Sequence, residues 1–399
     1  MIELLAPAGN LEKAQIALEY GADAVYVGGK KFSLRARASN FTIDDLEELA
    51  KFAHERNKKV YVTTNIIPHE DDLDGLDDYL LDLERIGING IITSSMYIIK
   101  RAEKIAPKLE RHVSTQTSVS NIEALRFLEK QNVKRVVLSR ELSIDEITKI
   151  TKETNLEIEV FIHGGMCSSY SGRCVLSNRF ARRDANRGGC AHSCRWNYHL
   201  FNGDKKINKD DEFFNIGSKD LMAINFIPKL IDAGVRSLKI EGRMKSAYYL
   251  AVVVKSYRNI IDKYLKNGLL TNNDILEGIE EISKAENRLT SCGFLNGLPT
   301  PNEQLYDTRS EMPTQEYIAA AISYDNDKGM ALVEERNYFE VGDLVEAFGP
   351  KMDNHIYTIT KIIDYETGEE LLAARHPLQK LLINCDVQLD KMDMIRKVK

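Results

Sequence analysis

The 399-residue chain contains no apolar run near the roughly 18 residues that a membrane span requires; Leu250–Val254 is among the longest. Nor is there a surplus of basic charge. At a formal net charge of −6 the chain has no global cationic field, so any nucleic-acid binding must come from a local patch. Six cysteines are too few for a disulfide scaffold. The opening MIELLAPAGN carries no basic n-region, which predicts no secretory signal and a place in the reducing cytoplasm. There a cysteine cluster more often means metal or catalysis than disulfides. Neither an H-E-x-x-H zinc motif nor a G-x-S-x-G elbow is present, which removes two common routes to proteolysis. No G-x-G-x-x-G follows the first apolar segment, so a dinucleotide site lacks support.

What remains is globular composition, 43% hydrophobic and 29% charged, which excludes a largely disordered chain. Short apolar segments at 3–5, 24–27, 60–63, 90–93, 112–115, 135–138, 157–162 and 237–240 alternate with amphipathic stretches. Asn10, Asn121 and Ser143 are placed to cap helices. Eight parallel strands with helical crossovers predict an α/β fold, a (β/α)8 TIM-like barrel over residues 1–266, closed by a helix at 246–266. About 70 residues separate strands seven and eight, far more than the usual connection, so 164–217 is read as an insertion. It includes a hairpin turning at Asn202-Gly203. Residues 267–313 read as a helix and linker, and 314–399 as a small β-barrel-like domain.

Barrel enzymes place their chemistry at the C-terminal ends of the strands. Alternation then assigns the inward side chains. In strand seven Glu159 and His163 should face the lumen, and in strand eight Lys239, Glu241 and Arg243. With Gln116 after strand five, this predicts a polar rim of Gln116, His163, Glu241 and Arg243.

Four of the cysteines fall together, as Cys167-x6-Cys174-x15-Cys190-x3-Cys194, all in the insertion. Four thiolates suit an iron–sulfur cluster or structural zinc, and the irregular spacing lacks the paired short knuckles of most zinc sites. His192 is a conceivable substitute ligand. Between and beside them stand Arg173, Arg179, Arg182, Arg183, Arg187 and Arg195, opposed only by Asp184. Arginine suits bidentate phosphate and carboxylate recognition, and Trp196, Tyr170, Phe180 and Tyr198 offer flat faces for an unstacked base.

The stretch EVFIHGGMCSSYSGRC (159–174) resembles the signature of the collagenase-like peptidase family, the U-thirty-two type. ELLAPAGN (3–10), ADAVYVGG (22–29), GGCAHSCRW (188–196) and KIEGRMK (239–245) agree with it, so the likeness spans about residues 1–300. One departure is RLTSCGFL (288–295), where the family run is richer in threonine and glycine. The appended β domain is similar to that of the tRNA-hydroxylating branch.

That resemblance implies a 4Fe–4S cluster on Cys167, Cys174, Cys190 and Cys194. It also implies hydroxylation of the wobble uridine of tRNA at carbon 5, with prephenate required and molecular oxygen not the donor. Relatives hydroxylate a cytidine of 23S rRNA or act in ubiquinone synthesis, and older usage calls the family peptidases. On this reading Arg243, with Lys245 or Arg140, would clamp the carboxylates of prephenate, and His163 and Glu241 would move protons. Arg182, Arg183 and Trp196 would hold the anticodon loop. Cys292 and Cys385, each alone, should be dispensable for the cluster.

Overall fold

The structure is a computed structural model that describes residues 2–34, 40–285, 288–305 and 316–398. Eight parallel strands close into a barrel: β1 (Glu3–Pro7), β2 (Ala24–Gly28), β3 (Lys59–Thr63), β4 (Gly90–Thr93), β5 (Glu110–Val113), β6 (Arg135–Val137), β7 (Glu157–Gly164) and β8 (Ser237–Ile240). Each pairs with the next, and β8 pairs with both β7 and β1. Helices α1 (Leu11–Glu19), α2 (Ile43–His54), α3 (Leu76–Arg85), α4 (Met96–Ile105), α5 (Ile122–Glu129) and α6 (Ile144–Lys152) run between them. Asn10, Asn121 and Ser143 cap α1, α5 and α6 as their positions in the sequence suggest, each side chain accepting a backbone N–H three residues on.

The outward faces of the strands and the inner faces of the helices make one large core. The lumen is different. Leu5, Ala24, Tyr26, Tyr61 and Ile92 form a small separate cluster. Beside it lies a buried ion network: Arg135 donates to Glu3, to Glu157 at 2.8 Å and to Glu159 at 3.2 Å, while Lys239 donates to Glu159 at 2.7 Å. Mutual pairing is what makes such burial of charge tolerable.

Between β7 and β8 the insertion carries the short helix α7 (Leu176–Ala181) and a hairpin pairing Phe201–Asn202 with Lys205–Lys206, followed by α8 (Ile227–Asp232). The strand Asp220–Met222 runs antiparallel to the end of β7. After β8, α9 (Ala247–Asn267), capped by Ser246, closes the barrel wall, and α10 (Asn272–Ser283) packs on it.

The C-terminal part is all-β, an eight-stranded antiparallel sheet with its own core. Its ladder runs from Met352–Thr358 to Glu370–Leu371, and among the described residues these end strands do not pair, so the expected barrel is here a sheet whose hydrogen bonds do not form a ring. The expected boundary at 313/314 lies outside the described residues. The two parts share a buried joint: Arg396, wholly inaccessible, donates to Glu346 and to Glu281 of α10, both at 2.6 Å, and Tyr248 stacks on Tyr317.

Candidate active site

At the C-terminal mouth of the barrel the insertion folds over a cavity of about 210 Å³. Its floor is Tyr26, Phe161 and Lys239, and its rim includes Gln116, Arg140, Glu241 and Arg243. Cys167, Cys174, Cys190 and Cys194 all line the same cavity, with His192 beside them. Residues of the right chemistry thus converge from β2, β7, β8 and the insertion.

Several of these side chains are fixed by the barrel itself. Arg140 lies with its guanidinium 3.8 Å over the Phe161 ring, donates to the Gly165 carbonyl at 2.6 Å, and pairs with Glu241. Burial opposes its charge, but Glu241 and then Cys167 outweigh that and raise its pKa. Arg243 crosses the barrel mouth to donate to Ser33 Oγ at 2.9 Å, Thr63 Oγ1 at 3.0 Å and the Leu34 carbonyl. That crossing needs Gly28, where a Cβ would stand 1.9 Å from the Arg243 guanidinium, and it follows Gly242, whose φ of +154° suits glycine. Gln116 sits past the end of β5 on a turn at Thr115–Thr117, where its carbonyl accepts from Arg173 at 2.6 Å and its side chain from Asn65 at 3.2 Å.

His163, expected at the rim, and Lys245, expected as a second clamp, lie elsewhere. His163 does not line the cavity; its ring packs between Tyr249 and Tyr257 of α9, with Nδ1 3.3 Å from the Tyr257 hydroxyl. Simple alternation fails because Lys239 sits opposite Phe161 but Ile240 sits opposite His163. Ile162 is an extra residue, a bulge, and the next side chain therefore turns to the outer face. Lys245 likewise stands outside the cavity, its ammonium 4.5 Å above the Tyr249 ring, because the turn at Gly242 sends the chain outward into α9.

Burial, and secondarily the charge of Lys245, holds the His163 pKa at about 3, against an ordinary value of 6.5. The imidazole is therefore neutral at pH 7, a poor general acid there. Above pH 6.5 neither state is protonated; below it the unfolded chain binds a proton that the folded one refuses until about pH 3. His163 should consequently make stability fall steadily as the pH drops through that window. Urea unfolding between pH 7 and pH 4 checks this: His163→Phe should show the shallower slope, and equal slopes would refute it.

The insertion is tied down by three of its six arginines. Arg173 holds Gln116, Arg187 makes a two-pronged pair with Asp72 at 2.8 and 2.9 Å, and Arg195 donates to Asp220 at 3.0 Å and the Met166 carbonyl at 3.2 Å. Arg179, Arg182 and Arg183 are exposed, and among the described residues they form no ion pair. Exposed Tyr170, Val175, Phe180 and Trp196 belong to the same insertion, and α7 packs on the turn Ser193–Arg195 just before Trp196. Arg182, Arg183 and Trp196 are therefore not cavity residues; they belong to the outer surface of the insertion.

None of the six cysteines is in a disulfide. Burial pushes the Cys194 thiol up, Arg195 opposes, and Cys190 and Cys174 are near enough to add to the rise. No group of three or more histidine, cysteine or acidic side chains among the described residues is drawn tightly enough to hold a metal ion. Cys167, Cys174, Cys190 and Cys194 instead stand spread around one cavity wall. Cys292 and Cys385 do not line the cavity, and Cys385 is buried in the C-terminal core.

Sequence reasoning did not single out Glu141, which accepts from the Ser171 N–H at 2.6 Å and hydroxyl at 2.5 Å, nor Arg288, which lines the cavity and faces Asp220 as Arg195 does. These contacts join positions far apart in the chain and leave no local signal. Lys239 was legible by strand parity as inward-facing, though not as a site residue.

Residues 9–305 match the family described as Peptidase family U32, and residues 313–396 match the Peptidase family U32 C-terminal domain. The chain is 45% identical to the tRNA hydroxylation protein P1 of Bacillus subtilis (strain 168), over 100% of this chain and 95% of that one. It is 38% identical to the 23S rRNA 5-hydroxycytidine C2501 synthase of Escherichia coli (strain K12), over 66% of this chain and 40% of that one. It is 34% identical to a collagenase of Porphyromonas gingivalis (strain ATCC BAA-308 / W83), over 87% and 86%. No helix among the described residues is long and apolar enough to cross a membrane.

Proposed function

The chain belongs to peptidase family U32, and from that premise we propose that it is a tRNA-modifying enzyme that hydroxylates the wobble uridine at carbon 5. Prephenate is the required small co-substrate, an iron–sulfur cluster is held by Cys167, Cys174, Cys190 and Cys194, and the oxygen comes from a source other than molecular oxygen. The observation that carries this reading is the convergence of four cysteines and a cationic rim on one cavity, beside an exposed surface of arginines and aromatics. A relative that matches nearly end to end, whose name is that of a tRNA hydroxylation protein, supports the same substrate.

When bound, a 4Fe–4S cluster would supply one-electron redox chemistry at the cavity wall. The chain's own residues do the rest. A base cannot reach a recessed cavity while stacked, but a wobble base already stands in a single-stranded loop, so its extrusion costs only a few kcal/mol or less. Arg182 and Arg183 are free to take flanking phosphates, and Trp196 or Tyr170 to stack a neighbouring base. Inside, Arg140 and Arg243 are rigidly placed donors for an anion, and Glu241, held by Arg140, is the carboxylate nearest the role of proton carrier.

Peptide-bond attack is the weaker reading. The Cys167–His163 pair that the sequence suggests for a protease does not form, because that ring lies among the tyrosines of α9. Hydroxylation of ribosomal RNA is the second reading, favoured by the 23S rRNA synthase among the relatives. Mass spectrometry of RNA from a strain lacking the gene separates the two. Loss of one oxygen from the tRNA wobble uridine, with ribosomal RNA unchanged, is the expected result; loss from 23S rRNA alone would overturn the tRNA assignment.

A further inference from the structure

We propose that Lys239, at the cavity floor, binds a carboxylate of the small co-substrate. This rests on the reading above that an anionic co-substrate enters the barrel. Lys239 is only 3% exposed, yet it lines the cavity. An ammonium has three donors. Among the described residues Glu159 is its one hydrogen-bond acceptor, at 2.7 Å, and the ring faces of Tyr26 and Phe161 lie 4.4 and 5.3 Å from the nitrogen.

The charge of Glu159 is itself divided. Arg135, which also pairs with Glu3 and Glu157, takes its other oxygen at 3.2 Å, so Lys239 spends one of its three donors on Glu159 and keeps two for a ligand. The cavity wall is cationic: Arg140, Arg195, Arg243 and Arg288 face it together with Lys239, against Glu141 and Glu241, with Asp220 taking both Arg195 and Arg288. An incoming carboxylate would therefore be drawn in and would find unspent N–H donors.

Depth selects the ligand class. Lys239 lies two residues before Glu241 along the strand direction, about 6–7 Å below the rim at the usual rise per residue. A nucleic-acid backbone resting on the rim does not reach it, whereas a small organic acid does. Tyr26 and Phe161 flank the ammonium, so the same floor accepts the apolar body of such a molecule. Burial lowers the Lys239 pKa, with Glu159 opposing, and a bound carboxylate would reverse that loss.

The experiment is calorimetry with prephenate as the probe on iron-loaded protein. Variants are Lys239→Met and the charge-balanced Lys239→Met/Glu159→Gln, which leaves no unpaired buried carboxylate. Affinity should fall at least tenfold in both, with iron content and tRNA affinity unchanged. Wild-type affinity in the charge-balanced variant overturns the proposal. If wild type itself binds no prephenate, the co-substrate reading fails and the anchor fails with it. Should the variants not fold, wild type answers directly: prephenate must slow acetic anhydride labelling of Lys239 relative to surface lysines, and undiminished labelling overturns the assignment.

Discussion

Replacing any one of Cys167, Cys174, Cys190 or Cys194 by serine should reduce bound iron from about four per chain to well below that, and abolish hydroxylation. The four thiols come from separate turns of the insertion, and all face one cavity. No spare thiol stands among the residues lining that cavity to take over a lost position. Serine presents a harder, less acidic oxygen, and one weakened ligand opens a cluster to solvent. Cys292→Ser and Cys385→Ala should keep full iron, since neither lines the cavity; the second should instead lose some stability from the C-terminal core. Iron and sulfide analysis of anaerobically purified protein decides the matter. Stoichiometric zinc without iron would contradict the cluster assignment, and so would a serine variant with undiminished iron.

Arg182→Glu/Arg183→Glu should weaken tRNA binding by an order of magnitude or more while leaving the iron content as in wild type. Both side chains are exposed and neither holds the insertion in place, a task that falls to Arg173, Arg187 and Arg195. Each phosphate contact removed should lower the slope of log affinity against log salt by about one, so the double variant should lose about two. Arg187→Glu is expected to behave differently. It breaks the pair with Asp72 and so loosens the insertion, which should disturb iron content as well as binding. Binding curves at several salt concentrations test this; an unchanged affinity and slope in the double variant would place the RNA path elsewhere.

The barrel was legible because its strands are short apolar segments between capped helices, and both signals are local. Asn10, Asn121 and Ser143 are examples, each a cap whose partner lies three residues on. Strand parity also carried Glu159 and Lys239 into the lumen, where they meet. It failed one turn later at His163, since a bulge at Ile162 depends on β8 and on Asp220–Met222 pairing with β7, and nothing in the local pattern announces it. The division of the arginines into anchors and free side chains was hidden for the same reason: Asp72, Asp220 and the Gln116 carbonyl are distant in sequence. The grouping of the four cysteines was plain from spacing, while spacing alone leaves the proposed metal between iron–sulfur and zinc.

The most direct measurement is reconstitution with the iron-loaded protein, unmodified tRNA and prephenate under anaerobic conditions, followed by nucleoside mass spectrometry. The account predicts one added oxygen on the wobble uridine, dependent on prephenate and absent with the Cys174→Ser variant. Unmodified tRNA from fully loaded, tRNA-binding protein, together with cleavage of a collagen substrate by the same preparation, would contradict it.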